Sequence, residues 1–209
     1  MAAADPLYLL PTPAGAWIAS AEAAADRLRA FIRLLLAQPV SPPWRDPDDL
    51  FVRRLGQLGW VQFLAAPRRV SQAPFDDALR SYLPALSAKG CALLADAHGF
   101  HLASSGFSDS AAEALAALSA DLASLHERHR RSLKHNLGLT GSAWAMPDAA
   151  GHSQLAFWPL HVGEHRFALV TAGVPHLNQP ELVDLVWLLH QRYGPLASRT
   201  QLSVSTTIS

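Results

Sequence analysis

Leu115, Leu118, Leu122 and Leu125 stand at spacings of three, four and three residues, the repeat that lines one side of an α-helix. Ser110 precedes Glu113 by three residues, the spacing of a capping box in which the hydroxyl accepts a bond from a free amide of the first turn. Ser108 is the alternative cap. A helix with so regular an apolar stripe must lay it on another surface, and the flanking sequence supplies candidate strands. Residues 91–95 read as a buried strand, Asp96-Ala97-His98-Gly99 as a turn and 100–104 as its antiparallel partner, closed by Gly106. Beyond Gly138 and Gly141 come strand candidates at 142–146, 155–160 and 166–172. The turns between them, 147–151 and 162–164, are short enough for hairpins, so the three strands form a meander.

Other segments carry helical punctuation. The spacing predicts a helix over 75–88 that Pro84 shortens or kinks, and a terminal helix from Asn178-Gln179-Pro180-Glu181 to Gly194-Pro195. Leu182, Val183, Leu185, Val186, Trp187, Leu188 and Leu189 make that last helix apolar over most of its circumference, so it should lie against a sheet. Before residue 75, positions 1–16 read as an extended arm and 20–38 as an alanine-rich helix capped by Ser20, with Leu28, Phe31, Ile32, Leu35 and Leu36 on one face. Pro39, Pro42 and Pro43 stop it; Asp46-Pro47-Asp48 starts a short second helix, and 60–64 is a possible strand. This divides the chain into an N-terminal arm and helical extension (1–74), a principal domain (75–194) and a polar tail (195–209), mobile or adding an edge strand.

Composition narrows the function. Half of the 209 residues are hydrophobic and 16% charged, against roughly 25% in an average globular protein; this is a chain with a core. Seventeen basic side chains balance seventeen acidic ones, leaving no overall field to gather nucleic acid or an anionic membrane. A net charge near zero is a poor solubility device, which suggests that another chain covers part of the apolar surface. No uninterrupted apolar run is long enough to span a bilayer and no basic leader opens the chain, so a cytoplasmic protein is expected. Only Lys89 and Lys134 are lysines; with abundant alanine, that arginine bias suggests a GC-rich bacterial coding sequence.

The chemistry-bearing residues are weak as motifs. Cys91 lies in an apolar run and reads as a small buried hydrophobe. His126 and His129 stand three apart and His161 and His165 flank a turn, yet zinc needs three or four converging ligands and no His-Glu-x-x-His or paired-cysteine frame occurs, so no metal or other cofactor is expected. Asp96, His98, Ser104 and Ser105 fall around one hairpin, without the Gly-x-Ser-x-Gly elbow or Ser-x-x-Lys spacing of a nucleophile and its base. Gly138-Leu139-Thr140-Gly141 lacks the phosphate-loop lysine. Residues 126–136 concentrate charge: Arg128, Arg130, Arg131 and Lys134 against Glu127. They read as the solvated end of the long helix, favourable to its dipole, or as a surface for an acidic partner or a phosphate group. Of the six tryptophans, Trp158 and Trp187 read as core, whereas Trp144 is left open between core and anchor.

Gly90-Cys91-Ala92-Leu93-Leu94-Ala95-Asp96-Ala97-His98-Gly99, then Phe100-His101-Leu102-Ala103-Ser104-Ser105-Gly106, then a helix containing Glu113-Ala114-Leu115-Ala116-Ala117-Leu118, resembles the roadblock, or dynein light chain, family. The resemblance covers about 75–194, with the order helix, strand, strand, long helix, three-strand meander, helix. It implies an α+β fold: a five-stranded antiparallel sheet flanked by helices on both faces, here with an N-terminal helical extension. It further implies dimerisation through the long helix and an adjacent middle strand, with Leu115, Leu118, Leu122, Leu125, Ala143, Trp144 and Ala145 as the interface. Such proteins are generally not enzymes but scaffolds and regulators, often of small Ras-like GTPases in bacterial polarity and motility systems. The same order of elements also occurs in GAF-like sensor domains, which hold a small ligand between sheet and helices; this is the alternative reading.

Overall fold

The computed structural model describes residues 6–44, 46 and 49–194. The polar tail 195–209 lies outside the described residues, as do Pro47 and Asp48 of the expected helix start. Five strands, β4 (Ala92–Asp96), β5 (His101–Ser105), β6 (Trp144–Pro147), β7 (Ser153–Val162) and β8 (His165–Ala172), make one antiparallel sheet in the order β5-β4-β8-β7-β6. The meander follows from its short turns: Val162 pairs with His165 across Gly163-Glu164, and Asp148 Oδ1 accepts from the Ala150 and His152 amides to close the turn before β7. The strand that the family resemblance describes as a middle one, β6, is instead an edge of this sheet.

Period-two alternation divides the sheet between two layers. Leu93, Ala95, Phe157 and Val170 face α5 (Asp109–Leu137), whose Ala112 and Ala116 approach the sheet closely. Leu94, Leu160, Val162 and Leu169 face the opposite layer, which holds α6 (Pro180–Tyr193) and α4 (Phe75–Tyr82). Pro84 ends α4 as expected, and the chain continues as a 3-10 turn over Leu83–Leu86. Ser108 rather than Ser110 caps α5, accepting from the Ala111 amide at 3.3 Å. Gly138, at φ +67°, ends it in a left-handed conformation that side-chain-bearing residues adopt at a cost.

Residues 7–44 depart from the expected extended arm and continuous 20–38 helix, whereas the expected short second helix and the strand at 60–64 are present. Leu7–Pro11 is a strand, β1, and lies at the centre of a second sheet with β2 (Pro43–Trp44) and β3 (Val61–Leu64) in the order β2-β1-β3. Helix α1 (Pro13–Ser20) begins on Thr12, whose Oγ1 accepts from the Gly15 amide, and α2 (Arg27–Leu36) begins afresh on Asp26, whose carboxylate accepts from the Arg29 amide. Ser20 is therefore the last residue of one helix and not the cap of the next; its Oγ donates to the Ala16 carbonyl. A short helix, α3 (Leu50–Gln57), starts on Asp49. A Cβ on Gly15 would collide with the Trp60 carbonyl oxygen, so the crossing of α1 over the end of β3 requires glycine there.

This N-terminal part does not sit apart. Leu10, Ala16, Ala19, Ile32 and Leu36 belong to the same buried cluster as Leu94, Leu169 and the α6 residues Leu182 to Leu189. Polar contacts fix the docking: Trp187 Nε1 donates to the Gln38 carbonyl and Gln191 Nε2 to the Leu36 carbonyl, both at 2.7 Å, capping the end of α2. Asp184, one turn before Trp187, accepts twice from Arg68 Nη2, at 2.6 and 2.8 Å. Helix α6 does lie on the sheet, as its composition requires, and α1 and α2 cover its other side.

Candidate protein-interaction surface

Helix α5 is 29 residues long, about 43 Å at 1.5 Å per residue. It packs over β5, β4 and β8, and beyond Leu125 its side chains are largely exposed. The structure splits the leucine stripe. Leu115 and Leu122 pack against Leu93, Phe157 and Val170 of their own sheet, whereas Leu118 and Leu125 are each 38% exposed. The half of the sheet toward β6 carries Trp144 and Leu155 on the α5 side. Between it and the helix runs an open groove of about 340 Å³, lined by Leu125, His129, Leu133, Leu137 and Trp144 among others.

Strand β6 continues this surface. Ala145 and Met146 are exposed, Ala143 is exposed just before the strand begins, and Trp144 is half-buried edge-on to His126. The indole Nε1 of Trp144 is buried and has no hydrogen-bond partner. From Gly138 to Pro147 no residue is charged, and Leu139 and Met146 are 55% and 57% exposed. Edge strands are ordinarily guarded by charge, by a covering element or by proline; β6 has only Pro147, at its end.

The basic residues lie on the overhanging part of α5. Arg128, Arg130, Arg131 and Lys134 are all exposed, and Arg130 pairs at 3.2 Å with Glu127 one turn earlier. Such a pair in water contributes little to stability. The basic group therefore presents charge to solvent beside the apolar groove.

The remaining candidates are engaged elsewhere. Asp96 Oδ1 accepts from the His98 and Phe100 amides, and Ser105 Oγ donates to the Gly90 carbonyl, so this hairpin uses its polar groups for its own turn. His161 is half-buried, its pKa lowered first by burial and then by Arg166 and Arg33, while His165 lies against Phe167 and Tyr193. Among the described residues no group of three or more His, Cys, Asp or Glu side chains converges. Trp158 packs edge-on to Trp17 and donates to Thr171 Oγ1 at 3.1 Å. The space between α5 and the sheet, bordered by Asp96, Ser119, Trp144 and Arg166, measures about 30 Å³, room for one water. Among the described residues no helix is long and apolar enough to cross a membrane.

His190 was missed by the sequence reading. It is 4% exposed on α6, its Nε2 has no partner, and burial, reinforced by Arg33, lowers its pKa to about 4. The guanidinium of Arg33 meanwhile holds the carbonyls of Ala19, Glu22 and Ala23 at the end of α1. A histidine inside a long apolar run was the available signal, since such a position places an ionisable ring on a buried face.

Fold and surface define an α+β protein whose five-stranded antiparallel sheet carries one long, half-exposed helix on one face and a closed helical layer on the other. Solved structures similar to it include a Roadblock/LC7 domain from Streptomyces avermitilis, at 17% identity and TM-score 0.40, covering 56% of this chain and 95% of that one. MglB of Myxococcus xanthus is similar at 18% and 0.32 over 54% of this chain and 84% of its own. The gliding protein MglB of Thermus thermophilus is similar at 20% and 0.34 over 59% and 90%. No protein-family model and no curated protein sequence matches the chain.

Proposed function

We propose that this protein is a noncatalytic, cytoplasmic, homodimeric scaffold or regulatory module, with the α5 and β6 surface as its dimer interface and residues 75–194 as its roadblock-like domain. The observation that carries this reading is the apolar groove between α5 and the edge strand β6, lined by Leu125, Leu133, Leu137 and Trp144, with Leu118 and Met146 exposed on the same two elements. A second copy related by a two-fold axis would cover both at once, since an isologous contact buries the same patch on each subunit. Leu115 and Leu122 support the helix from beneath; Leu118, Leu125, Ala143, Trp144 and Ala145 meet the mate. Leu118→Glu is the test. Light scattering on dilute protein is expected to give twice the chain mass for the wild type and a single mass for the variant, with an unchanged circular dichroism spectrum. A wild type of single mass rejects the interface.

The partner of the dimer, on this reading, is a small Ras-like GTPase or a component of a bacterial polarity or signalling assembly, met by Arg128, Arg130, Arg131 and Lys134. Their support is exposure and a surplus of positive charge on the overhanging helix end. Reversing Arg130, Arg131 and Lys134 to glutamate should abolish capture of such a GTPase from the native cytoplasm and leave the dimer mass intact. Equal capture by both proteins removes this face from the proposal. A GAF-like sensor, the alternative, is less well supported because small-ligand sites bury most of their ligand, whereas the enclosed space between α5 and the sheet measures about 30 Å³ and the 340 Å³ groove beside Trp144 is open to solvent.

A further inference from the structure

Besides the α5 and β6 surface, exposed apolar side chains gather on the second sheet and on α3: Leu7, Leu50, Leu58 and Phe63. Leu7 faces Trp44 across β1 and β2, and Leu9 faces Phe63 across β1 and β3, so Trp44, Leu7 and Phe63 share one face of that sheet. Helices α2 and α3 close the Leu9 and Val61 part of the face, whereas Phe63 stays 40% exposed with its ring against Gly56 of α3. Strand β3 is also an edge. The Leu9 amide donates to the Pro42 carbonyl and the Thr12 amide to the Trp60 carbonyl, both at 3.0 Å. Antiparallel pairing alternates, so Gln62 and Leu64 bond β1 while Val61 and Phe63 turn their N–H and C=O away from it. Among the described residues no backbone hydrogen bond from elsewhere reaches Phe63 or Ala65. Val61 is buried, which leaves Phe63 to Ala66 as the accessible edge.

This edge lacks the usual guards of charge, cover or an internal proline. Leu55 to Pro67 contains no charged residue, and Pro67 comes after the strand. Arginine pairs flank the run, Arg53-Arg54 before it and Arg68-Arg69 after it, and residues 50–75 contain no acidic residue. Arg68 is held by Asp184. Arg54 and Arg69 are exposed and make no ion pair among the described residues. The nearest acidic residue before α3, Asp49, is engaged by the Phe51 and Val52 amides.

We infer that the free edge of β3 takes up an extended apolar segment of another protein, flanked by acidic residues, as a fourth strand of the second sheet. Phe63 offers the added backbone one donor and one acceptor, its ring receives an apolar side chain, and Arg54 and Arg69 receive the acidic flanks. In strand addition of this kind main-chain bonds supply affinity and the neighbouring side chains supply selectivity. A second copy of this chain suits the edge poorly, because its own β3 run carries arginine at both ends. The inference does not depend on the dimer reading.

The probes are two labelled peptides with the same centre, Glu-Glu-Val-Thr-Val-Thr-Val-Glu-Glu and its counterpart with lysine in place of every glutamate, both blocked at their ends and titrated by fluorescence anisotropy at low salt. The acidic peptide should bind the full chain about tenfold more tightly than the basic one, because two attractive contacts replace two repulsive ones. Arg54→Glu/Arg69→Glu should invert that order. With the acidic peptide bound, hydrogen exchange followed by NMR should slow at the Phe63 amide and stay unchanged at Gln62 and Leu64, which β1 already holds. Binding of neither peptide, equal binding of both, or protection confined to α5 and β6 overturns the inference. So does a Leu118→Glu protein that remains dimeric until Phe63→Lys is added, since a second copy then occupies the edge.

Discussion

A chain lacking residues 1–74 is expected to accumulate as insoluble or unfolded protein, although it retains every strand of the five-stranded sheet. The reason lies on α6. Asp184, Trp187 and Gln191 stand at i, i+3 and i+7 and face the N-terminal part, bound to Arg68, Gln38 and Leu36. Removing that part exposes Trp187, which is 1% exposed in the whole chain. A tryptophan of about 150–250 Å² carries about 4–6 kcal/mol of burial energy at 25 cal/mol per Å², comparable with the whole stability of an ordinary domain. Leu10, Ile32 and Leu36 leave the same cluster at once. Soluble yield and thermal unfolding of the 75–209 fragment are the measurements. A fragment that is soluble and melts at the Tm of the full chain would mean that the shared cluster contributes nothing.

Acid should destabilise the folded chain through His190. Its folded pKa of about 4 lies below the ordinary 6.5, so between those values the unfolded state binds the proton and the folded state excludes it. Stability is accordingly full above pH 6.5 and falls as pH drops toward 4. The slope approaches about 1.4 kcal/mol per pH unit, for a total of about 3 kcal/mol. His161 acts in the same direction. Asp184 acts against them, because burial raises its pKa despite Arg68 and its protonation favours the folded state. Asp26 and Asp148, both held low chiefly by backbone amides, lose their contributions only below about pH 4. His190→Leu isolates the effect, since the other groups titrate in both proteins. Denaturant unfolding from pH 7 to 4 should show the wild type losing about 3 kcal/mol more than the variant. Parallel pH profiles would show that this imidazole is protonated in the folded chain.

Much of the fold was legible where local signals agreed. The leucine spacing, the Ser108 cap and Gly138 bracket α5, and the turn residues between 147 and 164 delimit the meander to within a few residues. The sequence misled where two signals competed. The alanine-rich run after Ser20 masks a break at Glu22 to Ala25, and Thr12-Pro13, a sound helix start, is obscured by the prolines that make the first residues look extended. Strand β1 could not be found locally, because it is a central strand whose partners lie about 35 and 55 residues later.

The interaction surface was legible in part. Spacing identified the stripe, but periodicity reports only which residues share a helix face. It does not tell the side resting on the chain's own sheet from the side facing outward, and the structure assigns Leu115 and Leu122 to the first and Leu118 and Leu125 to the second. Nor does sequence say which strand ends a sheet; β6 is an edge because β7 has β8 on its other side. Local sequence determined the identity of most helices and strands, since caps, turns and apolar period act over a few residues. Tertiary structure decided the order of the strands, the packing of α1 and α2 over α6 and the burial of His190. Those depend on which distant apolar faces meet, a choice made by total burial and hydrogen bonding across the whole chain.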